Sequence, residues 1–475
     1  MPRSNANNLD LARGSNLTPF LARHVAMRPI DDVKSYAGTA RRHPPEQVAK
    51  LEKALRSFGF VVPLLVDTEG TLLDGHAVLT AAQKIGLCEV PVIQIAHLTP
   101  KEVKALRLFL NRVPEDTRWE PDALRLEFET VFGGEITFDP DLTGFTMSEI
   151  DASLGAAQLA ASGASDADDA VLECPEAEDC AVRPGDIWIL GPHRLLCANA
   201  LLDESWARLM WSERAAAVIT DPPYNVRIRG HVTTRRDGAA HREFAFASGE
   251  MTPAKYTNFL KTIFAHMRRI IQGNGLHYVF MDWRHLGELG EAGRILGRQV
   301  NLCVWNKTNA GMGSLYRSKH ELIGVFITGD GSPINNVQLG KHGRYRTNVW
   351  DYAGANTFRR GRAEDLEDHP TVKPVALLAD ALLDCTHRGD IVADPFAGSG
   401  SLILAADRTG RRARAMEIDP AYVEVAIRRW QDRTGGTAHH AQSDLSFNEV
   451  AALRKTGVEP VRHRSRRSSK GDNSK

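Results

Sequence analysis

The most chemically loaded stretch of the sequence is AAVITDPPYNV, residues 216–226, where an apolar strand pattern runs straight into Asp221-Pro222-Pro223-Tyr224. Ligands of open α/β sheets bind at the carboxyl ends of strands, so an acid and an aromatic at a strand tip stand where chemistry is expected. The two prolines fix the backbone and remove two N–H donors, which holds Asp221 and Tyr224 rigidly. Read alone, the four residues are equally a turn after a strand. A second stretch, DIVADPFAGSGSLILAADRTG at 390–410, reads as strand, glycine-rich turn and helix. Gly398 and Gly400 allow a tight turn and close approach of the backbone to a ligand. The next strand carries Glu417, 23 residues beyond Asp394. An acid about 20 residues on is the one that binds ribose hydroxyls in nucleoside-binding α/β folds. A C-cap glycine and a surface glutamate would leave the same letters, but strand context and spacing together point to a nucleoside cofactor. No GxxxxGK[ST] occurs, which disfavours a phosphate-cradling site. A third stretch, His369-Pro370-Thr371-Val372-Lys373-Pro374, precedes VALLADALL, and helix capping alone would account for it.

The elements that must position these residues are apolar strands alternating with helical stretches. They are AAVIT (216–220), LHYVF (276–280), NLCVW (301–305), ELIGVFI (321–327), DIVAD (390–394) and RARAMEI (412–418). The alternation predicts a doubly wound, mostly parallel α/β sheet over residues 181–440. Ahead of it, PPEQVAKLEKALRSFGF spaces Val48, Leu51, Leu55 and Phe58 as a helix does. Short strands at VVPLLVD, TLLD and VPVIQI and a helix at 75–86 complete a small α+β domain. This domain, with a helical extension, is expected over 21–154, a linker over 155–180, a disordered N-terminus at 1–20 and a basic C-terminal tail at 441–475. The last tail is basic beyond Pro460.

Composition is that of a globular protein, with 43% hydrophobic and 25% charged residues in 475. Fifty-nine basic residues balance 59 acidic ones, so global charge does not speak for or against nucleic acid. Six scattered cysteines without a CxxC pair make a zinc site or disulfide framework improbable, and no metal is expected. No membrane span or secretory leader is visible, which leaves the cytoplasm as the expected compartment.

The three stretches together resemble the S-adenosylmethionine-dependent DNA amino-methyltransferases. Their order matches the permuted β group: DPPY, a variable recognition segment (about 311–368), HPTxKP, then the glycine-rich block and its acid. The flanking text PGDIWILGPHRLLCANA, HREFAFASGEM, MDWRHL and WNKTNAGMGSLYRSKHE resembles prophage-type members. Ala198-Asn199 stand where those relatives usually carry Gly-Asp, near the cofactor adenine. The resemblance implies N6 methylation of a flipped-out adenine in double-stranded DNA, with S-adenosylmethionine as cofactor. Asp221, Pro222, Pro223 and Tyr224 would be catalytic. Asp394, Phe396, Gly398, Gly400 and Glu417 would bind the cofactor, with Thr371 and Lys373 at its methionine end. N4-cytosine methylation stays open as an alternative, as does a DNA-binding protein with an inactive methyltransferase half.

The N-terminal block resembles the ParB/sulfiredoxin-like domain, through HPPEQVAKLEKALRSFGFVVPLLVD, LLDGHAVLTAAQKIG and LTPKEVKALRLFLNR. That family reads Gly-His-x-Arg, its arginine helping to bind phosphate; here Gly75 and His76 are kept and Val78 takes the arginine's place. An accessory role follows, and a fragment beginning near residue 175 is expected to keep methyl transfer. Two basic segments are candidates for DNA contact. The first contains Arg227 and Arg229, the second Arg344 and Arg346. The sequence leaves the oligomeric state open.

Overall fold

The computed structural model describes residues 24–36, 38, 41–132, 139–155, 169, 174–175, 180–226, 249–308, 310, 315–337, 339, 346–354 and 372–461. These fall into two compact units, one running to residue 146 and one built mainly from residues 147–475. Among the described residues no helix is long and apolar enough to cross a membrane.

The first unit carries strands β1 (Ala26–Pro29), β2 (Leu64–Val66), β3 (Leu72–Asp74) and β4 (Glu89–Gln94) in the order β1-β4-β2-β3. Leu64, Val66, Leu72, Val90 and Val92 are buried with Leu79 of the helix His76–Ile85. Val61 and Val62, expected in the first strand, stay exposed, because Pro63 offers no N–H to a ladder. Gly75 has φ +97°, and a Cβ there would stand 2.5 Å from a Leu64 methyl. Val78, in the arginine's place, packs against this apolar core.

The second unit holds a ten-stranded sheet among its described residues. Its strands are β5 (Ile187–Leu190), β6 (His193–Cys197), β7 (Ala215–Thr220), β8 (Ile271–Met281), β9 (Arg298–Asn306), β10 (His320–Ile327), β11 (Val349–Asp351), β12 (Ile391–Asp394), β13 (Arg412–Glu417) and β14 (Ala438–His440). The order is β11-β9-β10-β8-β7-β12-β13-β6-β5-β14. The central run β8-β7-β12-β13-β6 is parallel; β10, β9 and β5 add antiparallel pairings on either side, so the sheet is more mixed than expected. Ala217 and Ile219 of β7 pack into one apolar layer, Ala215 and Val218 into the other. Helices Val375–Cys385 and Ser401–Thr409 cover the first face, and Asp203–Met210 and Pro253–Ile270 the second. A strand buried on both faces must be apolar at every position, which is why β7 and β12 read as continuous runs. From β7 the chain crosses to β8 on one side; from β12 it crosses to β13 on the other. That reversal opens a crevice at the carboxyl ends of β7 and β12.

The boundary between units falls earlier than residue 154. The helix Met147–Ser153 belongs to the second unit, where Asp151 accepts from Arg411 Nη1 and Nη2 at 3.2 and 3.0 Å and from Arg388 Nη1 at 3.2 Å. Asp169, within the expected linker, accepts from the Val375 N–H at the start of the helix Val375–Cys385. The fragment beginning near 175 therefore loses the carboxylate that faces a fully buried Arg411. Removing one partner of a buried pair typically costs about 3–5 kcal/mol. We expect a fragment beginning at 147 to unfold in urea near the intact chain, and one beginning at 175 at clearly lower denaturant. Coincident midpoints would show that Asp151 does not hold the unit together.

Candidate functional site

Because β7, β12 and β13 are parallel neighbours, the loops that follow them leave the sheet at one edge. The loop after β7 presents Asp221 to Tyr224. Tyr256, from the helix Pro253–Ile270, donates to the Pro223 carbonyl at 2.9 Å and pins this tip from below. Asn225, at φ +54°, accepts from Gly249 and Met251 N–H groups and donates to the Met251 carbonyl. The loop after β12 is tied in turn: Thr220 donates to Asp394 Oδ1 at 2.7 Å, and the same oxygen accepts from the Phe396 N–H at 3.0 Å. Burial pushes the Asp394 carboxyl up to about 7 against these two bonds.

At the end of β13, Glu417 Oε2 accepts from the Gly398 N–H at 2.9 Å, while Oε1 accepts from Ile418 and Asp419 at 2.8 and 2.9 Å. Burial raises its pKa, and the three N–H groups pull the other way. Gly398 has φ +49°, and a Cβ built there would meet no protein atom within 4 Å; it would stand in the crevice. Gly400 is glycine for another reason, since a Cβ would lie 2.7 Å from that of Ala426.

One pocket joins the two loops. Asp221, Pro222, Pro223 and Tyr224 line one end, and Asp394, Phe396, Gly398 and Glu417 the other, with Lys373 and Phe280 between. It is a partly enclosed crevice that opens to solvent. Gly400 sits behind this lining, at the start of the helix Ser401–Thr409.

The charges at the Asp221 end form a cluster. Lys373 is buried and donates to Asp221 Oδ2, and its Nζ lies 3.2 Å from Glu321 Oε2. Tyr224 donates to Asp221 Oδ1 and lies 3.1 Å from Glu321 Oε2. Lys307 pairs with the other Glu321 oxygen. Although burial works against it, Lys373 and Lys307 hold Glu321 down at about 2. Burial raises Asp221 while the Lys373 ammonium pulls it back.

Sequence reading missed Glu321, Lys307, Thr220 and Tyr256. The one visible signal for Glu321 is an acid opening an otherwise apolar strand, ELIGVFI. Lys373 lines the pocket, but its ammonium is committed to carboxylates at the Asp221 end. Arg346, expected on DNA, donates instead to Asp380 and Asp384, at 3.0 Å each, and to the Tyr352 hydroxyl. The physical reason is the helix Val375–Cys385, buried along its whole length, whose two carboxylates need a cation. Asn199 accepts from the Leu201 N–H and closes a local turn after β6. Thr371, Arg227, Arg229, Arg344 and the residues beyond 461 lie outside the described residues; the expected tail over 441–475 is shorter than that, because residues 447–455 form a helix whose Phe447 and Val450 are buried in the core.

Comparison with known proteins places a family profile described as DNA methylase on residues 215–428. The chain is 24% identical over 267 residues to the type II methyltransferase M.HpaI of Haemophilus parainfluenzae, covering 51% of this chain and 76% of that one. It is 24% identical over 280 residues to the DNA adenine methyltransferase YhdJ of Escherichia coli (strain K12), covering 54% and 86%. The ParB-like nuclease domain-containing protein YnaK, also of Escherichia coli (strain K12), is 36% identical over 78 residues, which are 16% of this chain and 90% of YnaK.

Proposed function

The chain belongs to the N6/N4 DNA methylase family through residues 215–428 and carries a ParB-like N-terminal domain, and from that premise we propose that it methylates adenine N6 in double-stranded DNA. The observation that carries this reading is the single pocket lined by both the Asp221–Tyr224 tip and the Asp394–Glu417 loop. A methyl donor and its acceptor must share one space. The adenine assignment draws on the carboxylate at position 221, where N4-cytosine chemistry more often has serine, and on the likeness to YhdJ.

The glycine end fits S-adenosylmethionine. Its carboxylates suit a ribose diol and a cation, and Gly398 leaves open the space a side chain would fill. When bound, the cofactor supplies an electrophilic sulfonium methyl. Glu417 would accept from the ribose hydroxyls, Asp394 and Phe396 would fix the loop, and Gly398 would let the backbone come close.

The chain's own residues must solve the harder problem. The adenine amine is a poor nucleophile because its lone pair is delocalised into the ring. Asp221 and the Pro222 carbonyl can accept the two N–H groups, which draws the nitrogen toward tetrahedral geometry and aims its lone pair. The Pro223 carbonyl is already engaged by Tyr256, which leaves Pro222 as the backbone acceptor at this tip. Asp221 is also the nearest base for the proton the nitrogen releases. Tyr224 offers a ring to the base, which must leave the duplex to reach this depth at a cost of a few kcal/mol. Arg227, Arg229 and Arg344 remain the candidates for phosphate contact.

Long-read sequencing of DNA from cells expressing the protein tests the reading. N6-methyladenine at one recurrent sequence is expected. N4-methylcytosine there would reassign the base, and unmodified DNA would overturn the activity.

A further inference from the structure

Behind the pocket lining, the charged residue with the least obvious purpose is Glu321, which meets the lining residues Tyr224 and Lys373. The pairing of β10 with β9 and β8 sets it opposite Trp305, next to Leu322, whose partner is Met281. It is a carboxylate beneath the acceptor end of the pocket, reaching the same two donors that occupy Asp221.

The donor count shows the difficulty. Tyr224 has one hydroxyl proton and two acceptors in reach, one on Asp221 and one on Glu321. The Lys373 ammonium is likewise shared between Asp221 and Glu321. Each oxygen of Asp221 therefore already accepts one of these donors, which leaves one lone pair on each and sets the target amine in competition with a cation and a hydroxyl. On the methyltransferase reading, the target amine needs those oxygens. Both donors already lie within 3.2 Å of Glu321 Oε2, so each can turn to it without leaving its place.

We propose that Glu321 is a positioning residue that frees Asp221, taking up the Tyr224 hydroxyl and the Lys373 ammonium when the target amine arrives. The inference rests on the methyltransferase reading and adds a residue to its site. Lys373 has support for its new position. Its Nζ lies 5.2 Å from the ring centroid of Phe280, 5.7 Å from Tyr224 and 5.9 Å from Trp305, so three aromatic faces hold the cation independently of Asp221. Charge is balanced as well, since Asp221 and Glu321 face Lys307 and Lys373. Without Glu321 the only carboxylate of this cluster left to Lys373 is Asp221, and the ammonium competes with the substrate amine.

The test compares Glu321→Gln with the double variant Glu321→Gln/Lys373→Met in the full chain. Turnover is read as tritiated methyl transfer into unmethylated bacteriophage DNA at saturating cofactor, and calorimetry with S-adenosylmethionine reports an intact pocket. Glu321→Gln is expected to lower turnover about tenfold with cofactor affinity unchanged. Removing Lys373 from that background should restore turnover at least about threefold, because the competitor is gone; a merely structural pair would give a double variant no better than the single one. A loss under about threefold, a loss of cofactor binding, or a double variant without that recovery each overturns the proposal. An inactive wild-type protein would instead overturn the methyltransferase reading.

Discussion

Asp221→Ala is expected to lower methyl transfer about 10²–10³-fold, the usual effect of removing a preorganised acceptor from a reacting group. Cofactor affinity should stay close to that of the wild type. The split follows from the layout of the sheet: Asp221 ends β7, while Asp394 and Glu417 end β12 and β13, and the bonds holding the glycine-rich loop do not involve Asp221. The substitution leaves Lys373 paired with Glu321, so no buried cation is orphaned. Single-turnover methylation with calorimetry on the same preparation measures both halves. Near-wild-type turnover would remove Asp221 from the chemistry and favour a DNA-binding role.

Glu417→Ala should do the reverse. The carboxylate lines the pocket and holds three backbone N–H groups. A hydrogen bond to a charged group is worth about 1.5–3 kcal/mol, which corresponds to about 10–150-fold in cofactor Kd. Loosening of the Gly398 turn places the expected loss toward the upper end. Turnover at saturating cofactor should fall far less, because Asp221, Tyr224 and their supports are untouched. Calorimetric titration reads the affinity, and an unchanged Kd would deny Glu417 its place on the ribose.

The strands that carry these residues could be found from sequence because they lie in the middle of the sheet. β7, β8 and β12 are covered on both faces, so their patterns are unbroken apolar runs bounded by turn residues. β1, with the sequence AMRP, is mostly exposed and gives no such run. β6 joins the central sheet parallel to β13 while β5 turns back antiparallel on it, through pairing that periodicity does not encode. Two of the three motifs were legible for a related reason: the Asp221–Tyr224 tip and the glycine-rich loop follow directly on the ends of β7 and β12. Glu321 and Lys373 are 52 positions apart in sequence and meet only in the folded chain, one from β10 and the other from just ahead of the helix Val375–Cys385. Arg346 was misread because arginines interleaved with aromatics suit a buried ion pair as well as a phosphate. The deciding partner, the helix Val375–Cys385, is distant in the chain.

The two outermost strands of the sheet, β11 and β14, are three residues each. A wide sheet with long bare margins would offer rows of unpaired amides to any strand in solution. Here the margins are too brief to template one, and the helix Phe447–Lys455 follows closely on β14. Colloidal behaviour should reflect this: concentrated protein should not build cross-β assemblies by adding strands at its rims, and any self-association would have to use side-chain surfaces instead.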